Sequence, residues 1–153
     1  MKSTNKKATA SLLLGLVLVL LAPRSVGIAL PPPLPNPVLY LLGQEFYESG
    51  GKQYTRYKYD VQNKDEFPAE LFAASPALPP CGSNTKAART WVDFFDQSGK
   101  RLNGFCAIGR PADLSGVWFS LESNVVPPSW VYIEMTDRQT NTKYKSNLAD
   151  TTS

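Results

Sequence analysis

Short alternating segments separated by turn residues constrain the fold of this chain most strongly. In residues 53–62, Thr55, Tyr57, Tyr59 and Val61 alternate with charged or polar residues, and a period of two is typical of a strand with one buried face. The same period recurs in residues 90–96 and 130–138. Such segments predict an all-β chain whose antiparallel strands form two sheets packed face to face.

About seven strands are predicted, and glycine, proline, asparagine or serine residues separate them. They cover residues 38–47, 53–62, 90–96, 101–108, 117–121, 130–138 and 143–148. Residues 67–80 contain four prolines and predict a loop with a single turn at 69–73, because proline removes a backbone donor. The small polar tail, residues 149–153, is expected to be disordered.

Residues 1–29 predict a cleaved signal peptide. Three lysines precede the apolar run of residues 10–22, which is too short to span the roughly 30 Å of membrane hydrocarbon as a helix. Gly27 and Ala29 are small residues that suit cleavage after Ala29, with cleavage after Gly27 as the second choice and an uncleaved anchor as the alternative. We therefore expect a secreted or otherwise extracytoplasmic protein, periplasmic or extracellular, with no stable membrane anchor after cleavage.

Removal of this leader changes the charge of the chain. The full sequence has 16 Lys and Arg against 13 Asp and Glu; the leader contains four of the cations and none of the acids, which leaves a net charge of −1. This balance gives no electrostatic reason to expect a nucleic acid or an anionic membrane as partner. The proline-rich residues 30–37 predict a stiff linker before a domain at residues 38–148.

Cys81 and Cys106 are the two cysteines of the sequence, and oxidising compartments favour a disulfide between them. Closing a loop of about 25 residues stabilises a fold by roughly 3–4 kcal/mol in the chain-entropy model. Two free reactive thiols are the alternative, but the sequence has neither a C-x-x-C spacing nor a histidine partner.

The sequence contains no histidine, which excludes Ser-His-Asp and Cys-His catalysis and His-ligated zinc. We therefore expect no enzyme, no catalytic residue, no metal ligand and no cofactor. A carboxylate-dependent hydrolase is the alternative, since Asp93 and Glu134 would form an acid pair if their strands are neighbours. The acidic residues 93–99 match the calcium-loop pattern incompletely and predict a hairpin turn at 96–99, with Gly99 at positive φ.

Trp91, Trp118 and Trp130 raise the hypothesis of an aromatic platform that stacks on sugars, and Trp118 and Trp130 are the candidate ligand surface. The alternative is that one tryptophan lies in the core and the others cover its rim.

The segments TWVDFFD (90–96), GFCAI (104–108) and WVYIEMTDRQTNTKYKSN (130–147) together resemble an immunoglobulin-like or fibronectin type III-like module of bacterial secreted proteins. The resemblance covers about residues 38–147 and implies an immunoglobulin-like antiparallel β-sandwich. Trp91 follows Cys81 by only ten residues, so the predicted disulfide ties a loop to the neighbouring hairpin rather than joining two sheets.

Together these features predict a secreted, non-catalytic binding or structural module. Its expected partner is an unidentified protein or polysaccharide of the envelope or medium. The two alternatives are a carbohydrate-binding module that uses an exposed tryptophan and the carboxylate-dependent hydrolase.

Overall fold

The computed structural model describes residues 33–79, 88–106 and 108–152. The predicted signal peptide, the start of the proline-rich linker and Cys81 lie outside these residues and stay predictions. Residues from Pro33 onward group into one compact unit. Across the described ranges, no helix has both the length and the apolar character needed to cross a membrane.

The described residues form antiparallel strands and three short 3-10 turns, which confirms the all-β prediction. The turns lie at Lys64–Glu66, Ala69–Phe72 and Pro111–Leu114. The strands are β1 (Leu39–Ser49), β2 (Lys52–Val61), β3 (Thr90–Asp96), β4 (Arg101–Phe105), β5 (Val117–Glu122), β6 (Trp130–Asp137), β7 (Thr142–Lys145) and β8 (Ala149–Asp150).

Two sheets contain these strands. The first sheet has the order β1-β2-β5, and the second has the order β4-β3-β6-β7, with β8 also paired to β6. Two asparagine side chains connect the edges of the two sheets. At one edge, Asn103 Nδ2 of β4 donates to Trp118 O of β5 at 2.7 Å. On the opposite edge, the Asn147 amide accepts from Leu39 N at 2.7 Å and donates to Leu39 O at 3.0 Å.

One core lies between the inner faces of the two sheets. The predicted inner face of β2 is confirmed, since Thr55, Tyr57, Tyr59 and Val61 are all buried. The Tyr59 ring lies 5.4 Å from the Phe94 ring of the second sheet. Each such buried side chain stabilises the fold by roughly 1.5–3 kcal/mol, so the core holds the two sheets together.

Two segments that were predicted as loop or linker also contribute to this core. Leu71 and Phe72 are buried at the 3-10 turn within residues 67–80, and the Leu71 carbonyl accepts a hydrogen bond from Thr90 Oγ1 at 2.6 Å. In the proline-rich segment, Pro37 is buried and Leu34 packs against the core. The described part of the linker is therefore docked on the domain.

The expectation that residues 149–153 are disordered does not hold for Ala149, Asp150 and Thr151. Ala149 and Asp150 form β8 and pair with the start of β6. Thr151 is fully buried, and its hydroxyl donates to Pro128 O. The prediction was wrong there because small polar side chains suit a free tail and equally suit a tight contact with neighbouring backbone.

Candidate functional site

The two predicted ligand-surface tryptophans lie in different sheets and do not form one platform. Trp118 is on β5 of the first sheet, directly opposite Lys58 of β2. Trp130 begins β6 of the second sheet and is opposite Asp150. All three tryptophans lie outside the core, with Trp91 and Trp118 half-buried and Trp130 43 % exposed.

Neighbouring side chains already cover Trp118. The Arg56 guanidinium carbon lies 4.6 Å from the centre of the Trp118 ring and 4.7 Å from that of Tyr47. Tyr47 in turn stacks on Tyr54 with ring centroids 5.4 Å apart. Cation–π and stacking contacts take up one face of these rings, which leaves less of the Trp118 ring open to a ligand.

Trp130 has a more accessible ring and a fixed backbone. The turn residue Gln97 accepts a hydrogen bond from Trp130 N through its side-chain oxygen at 3.1 Å, and Gln97 N donates to Trp130 O at 3.1 Å. Within the described residues, no ring or cation stacks on Trp130, whereas Arg138 lies 4.1 Å from the Trp91 ring centre. Of the two candidate tryptophans, Trp130 is therefore the more exposed one.

Trp130 belongs to one end of the molecule, which we call the hairpin end. This end is formed by the β1–β2 turn at residues 50–51, the β3–β4 turn at residues 97–100, the β5–β6 loop at residues 123–129, and β8 with Thr151. Three more large apolar side chains are exposed there: Phe46 (72 %), Val125 (48 %) and Val126 (89 %). We call these four residues the apolar tip.

Hydrogen bonds hold the loop of the apolar tip at both of its ends. Ser123 N donates to Gln53 O at 2.9 Å, and Ser123 Oγ lies 3.1 Å from Thr55 Oγ1. At the other end, Thr151 N donates to Ser129 O at 3.3 Å. Val125 and Val126 are therefore exposed on a loop whose ends are held in place. The sequence prediction did not include these two valines, although their position before two prolines in a turn segment was a visible signal.

Asp93 and Glu134 are directly opposite each other on β3 and β6, so the condition set for a carboxylate pair is met. Each carboxylate is nevertheless ion-paired: Arg101 Nε lies 2.7 Å from Asp93 Oδ1, and Lys143 Nζ lies 2.7 Å from Glu134 Oε1. The guanidinium of Arg101 lies across Gly104, where any Cβ would collide with it.

The depression beside Asp93 is small. It has a volume of about 60 Å³ and is lined by Trp91, Asp93, Arg101, Gly104, Phe105 and Cys106. Ligand pockets for small molecules usually have volumes of roughly 300–1,000 Å³. A sugar chain therefore has little room to enter between the candidate carboxylates.

Arg89, to which the sequence assigned no role, forms a two-pronged ion pair with the buried Asp137. Its Nε donates to Asp137 Oδ1 at 2.8 Å and its Nη2 donates to Oδ2 at 2.6 Å. Asp137 also caps its own turn, since Gln139 N and Thr140 Oγ1 both donate to it. Arg89 first, then these donors, lower the pKa of Asp137 to about 2.

The predicted turn at residues 96–99 is confirmed. Gly99 has φ of 87°, and Asp96 Oδ1 accepts hydrogen bonds from Ser98 N at 2.8 Å and Lys100 N at 3.0 Å. The Ser98 hydroxyl first, then these backbone donors, lower the pKa of Asp96. Within the described ranges, no group of three acidic or cysteine side chains is placed to hold a metal ion.

Cys106 is half-buried and directly follows β4. Cys81 lies outside the described residues, so the predicted Cys81–Cys106 disulfide stays a prediction.

Comparison of the chain with protein-family models, with curated proteins and with solved structures finds no match in any of the three. The site must therefore be interpreted from its own geometry.

Proposed function

We propose that this chain is an exported, non-catalytic binding module built as an immunoglobulin-like β-sandwich with one disulfide. The observation that carries the proposal is the apolar tip. Isolated exposed apolar side chains are ordinary, but several large ones collected at one end of a small domain are typical of an interaction surface. Here Phe46 and Trp130 lie on strands, and the two valines lie on a loop anchored by hydrogen bonds, so little conformational entropy is lost on binding.

The strand order supports the immunoglobulin-like part of this proposal. Constant-type immunoglobulin domains place strands one, two, five and four in one sheet, and three, six and seven in the other. This chain has β1-β2-β5 and β4-β3-β6-β7, which differs by the transfer of the fourth strand to the edge next to the third. The strand order supports the architecture alone, because the binding loops of variable domains follow the second and sixth strands, at the end opposite to the apolar tip.

A site-specific photo-crosslinking experiment tests the proposed binding role. A photoreactive amino acid is placed at position 126, and the labelled protein is exposed to material of its native envelope or medium before irradiation. We expect one discrete crosslinked product. The control is the same label at Glu66, an exposed residue that follows β2 at the other end of the domain; equal products from both positions, or none from position 126, would contradict the proposal.

A carbohydrate-binding module is the second candidate, and the exposed ring of Trp130 favours it. Sugar stacking needs an open aromatic face, which Trp130 offers and which Arg56 occupies at Trp118. Tryptophan fluorescence titrated against a panel of polysaccharides tests this candidate, with Trp118→Phe as the matched control for Trp130→Phe. Loss of the titration in the Trp118 variant alone would exclude Trp130 as the contact.

The opposed pair of Asp93 and Glu134 keeps a carboxylate-dependent hydrolase as a third candidate. Its geometry is adverse, because both carboxylates are ion-paired and the adjoining depression is small. A hydrolase screen with Asp93→Asn and Glu134→Gln decides the matter: turnover that survives repurification and disappears in both variants would establish the hydrolase.

A further inference from the structure

The last part of the loop of the apolar tip, residues 127–129, depends on hydrogen-bond donors from outside the loop. Pro127 and Pro128 have no backbone N–H, and within the described ranges Ser129 N donates no hydrogen bond. Hydrogen bonds that hold this backbone must therefore be made to its carbonyl oxygens. One residue supplies both donors, since Thr151 Oγ1 donates to Pro128 O and Thr151 N donates to Ser129 O at 3.3 Å.

Thr151 belongs to a C-terminal strap, residues 147–151, that is fixed to both sheets. On the first sheet, Gln44 Nε2 donates to Thr151 O at 3.0 Å, and the hydroxyl of the fully buried Tyr59 donates to Asp150 O at 3.0 Å. On the second sheet, β8 pairs with the start of β6. The position of Thr151 is therefore set by strands of the domain and not by the loop that it holds.

The start of the same loop does not depend on the strap. Ser123 N donates to Gln53 O of β2 at 2.9 Å, and Val125 N donates to Glu122 O at 2.8 Å. Val126 follows these bonds and is 89 % exposed. In the part of the chain that the structure describes, its backbone N–H and C=O make no hydrogen bond. The place of Val126 is therefore set by the bonds on either side of it, and those on the far side come from Thr151.

We infer that the C-terminal strap holds the apolar tip in its binding conformation, with Thr151 as the positioning residue. Thr151 is fully buried, so it acts through the loop and not by contact with a partner. A loop that is fixed before binding loses less conformational entropy than a loop that becomes ordered on binding. This inference rests on the proposed binding function and names the part of the fold that controls it.

Three variants separate positioning from general stability. Thr151→Val removes the hydroxyl donor and keeps the shape of the side chain, whereas Thr151→Ser keeps the donor. Thr90→Val is the matched control, because Thr90 is also fully buried and its hydroxyl also donates to a backbone carbonyl, that of Leu71 at 2.6 Å. Thr90 is opposite Asp137, at the other end of β6 from Trp130, so its hydrogen bond is not part of the apolar tip.

The first readout is the NMR order parameter of the Val126 N–H in the purified protein, which needs no ligand. Rigid backbone has an order parameter of about 0.85, and flexible backbone has one below about 0.6. We expect a rigid value in the wild-type protein, in Thr151→Ser and in Thr90→Val, and a flexible value in Thr151→Val. A rigid value in Thr151→Val, a flexible value in the wild type, or an equal drop in Thr90→Val would overturn the inference.

The second readout is the yield of the crosslink at position 126, measured in each variant as in the experiment on the proposed function. We expect the yield to fall by about fivefold in Thr151→Val, the equivalent of one hydrogen bond, and to stay near the wild-type value in the other two. An unchanged yield in Thr151→Val would overturn the inference and leave the proposed binding function standing. Absence of the crosslink from the wild-type protein would instead contradict the proposed function, and the order parameters alone would then decide whether the strap fixes the loop.

Discussion

The buried ion pair between Asp137 and Arg89 predicts a specific loss of stability in acid. The pKa of Asp137 falls from the model-compound value of 3.8 to about 2, first because Arg89 donates to it and then through Thr140 and Gln139. Each pKa unit corresponds to about 1.4 kcal/mol, so the charged carboxylate contributes roughly 2 kcal/mol to the free energy of unfolding. Because the folded-state pKa is the lower one, this contribution is complete above about pH 4 and is lost as the pH falls toward 2.

The assay is urea unfolding of the wild-type protein and of Asp137→Asn at pH 7, 4, 3 and 2. At pH 7 the free energy of unfolding of the variant should be lower than that of the wild type by roughly 2–4 kcal/mol, because the variant leaves Arg89 without its charged partner. The arginine side chain is 25 % exposed, and contact with water moderates this cost. Protonation of Asp137 in the wild type should reduce the difference in free energy of unfolding between the two proteins by about 1 kcal/mol at pH 3 and about 2 kcal/mol at pH 2.

Asp113→Asn is the matched control. Asp113 forms an ion pair of the same residue types with Arg110 at 2.9 Å, but the arginine side chain is 74 % exposed. Exposed pairs contribute little to stability, so this variant should lose less than about 1 kcal/mol of unfolding free energy at pH 7. A gap for Asp137→Asn that stays constant from pH 7 to pH 2 would refute the assignment of acid sensitivity to this pair.

Three further predictions concern stability and covalent structure. Phe119→Ala should reduce the free energy of unfolding by roughly 3–5 kcal/mol, because this fully buried ring packs on core rings of both sheets; a calorimetric change below about 1 kcal/mol would contradict the described core. Thr151→Ala should cost about 1 kcal/mol, whereas Thr152→Ala, at an exposed position, should be neutral in the same urea assay. Alkylation without reductant should add no label to the intact mass if Cys81 and Cys106 are bonded, and two labels would show that they are not.

The strands of this protein were predictable where one face of a strand is buried. The bounds of β3 were predicted in full, and those of β2, β5 and β6 within a residue at each end, because apolar and polar side chains alternate with the period of the pleat. The turn at residues 96–99 was predictable for a similarly local reason, since Asp96 bonds to its own backbone and Gly99 tolerates positive φ.

Contacts between segments distant in the sequence were not predictable in this way. Phe72 enters the core from a proline-rich loop, and Thr151 is buried in a tail of small polar residues. Neither residue has a periodic pattern around it, because the burial of each depends on a neighbour brought close by the fold. The candidate site shows the same limit, since the sequence could not tell that Arg56 covers the Trp118 ring while the Trp130 ring stays exposed.

The sequence by itself determined that this protein is an antiparallel all-β chain, because alternation and turn chemistry act over a few neighbouring residues. Only the tertiary structure decided which faces were covered and which acidic side chains formed ion pairs. Those outcomes depend on strand order and on contacts between segments that are distant in the sequence. Phe46 illustrates the difference: alternation counted from the buried Leu39 places it on the outer face, whereas the register shift between Leu41 and Gly43 brings it opposite Thr55 of the inner face, where it is 72 % exposed.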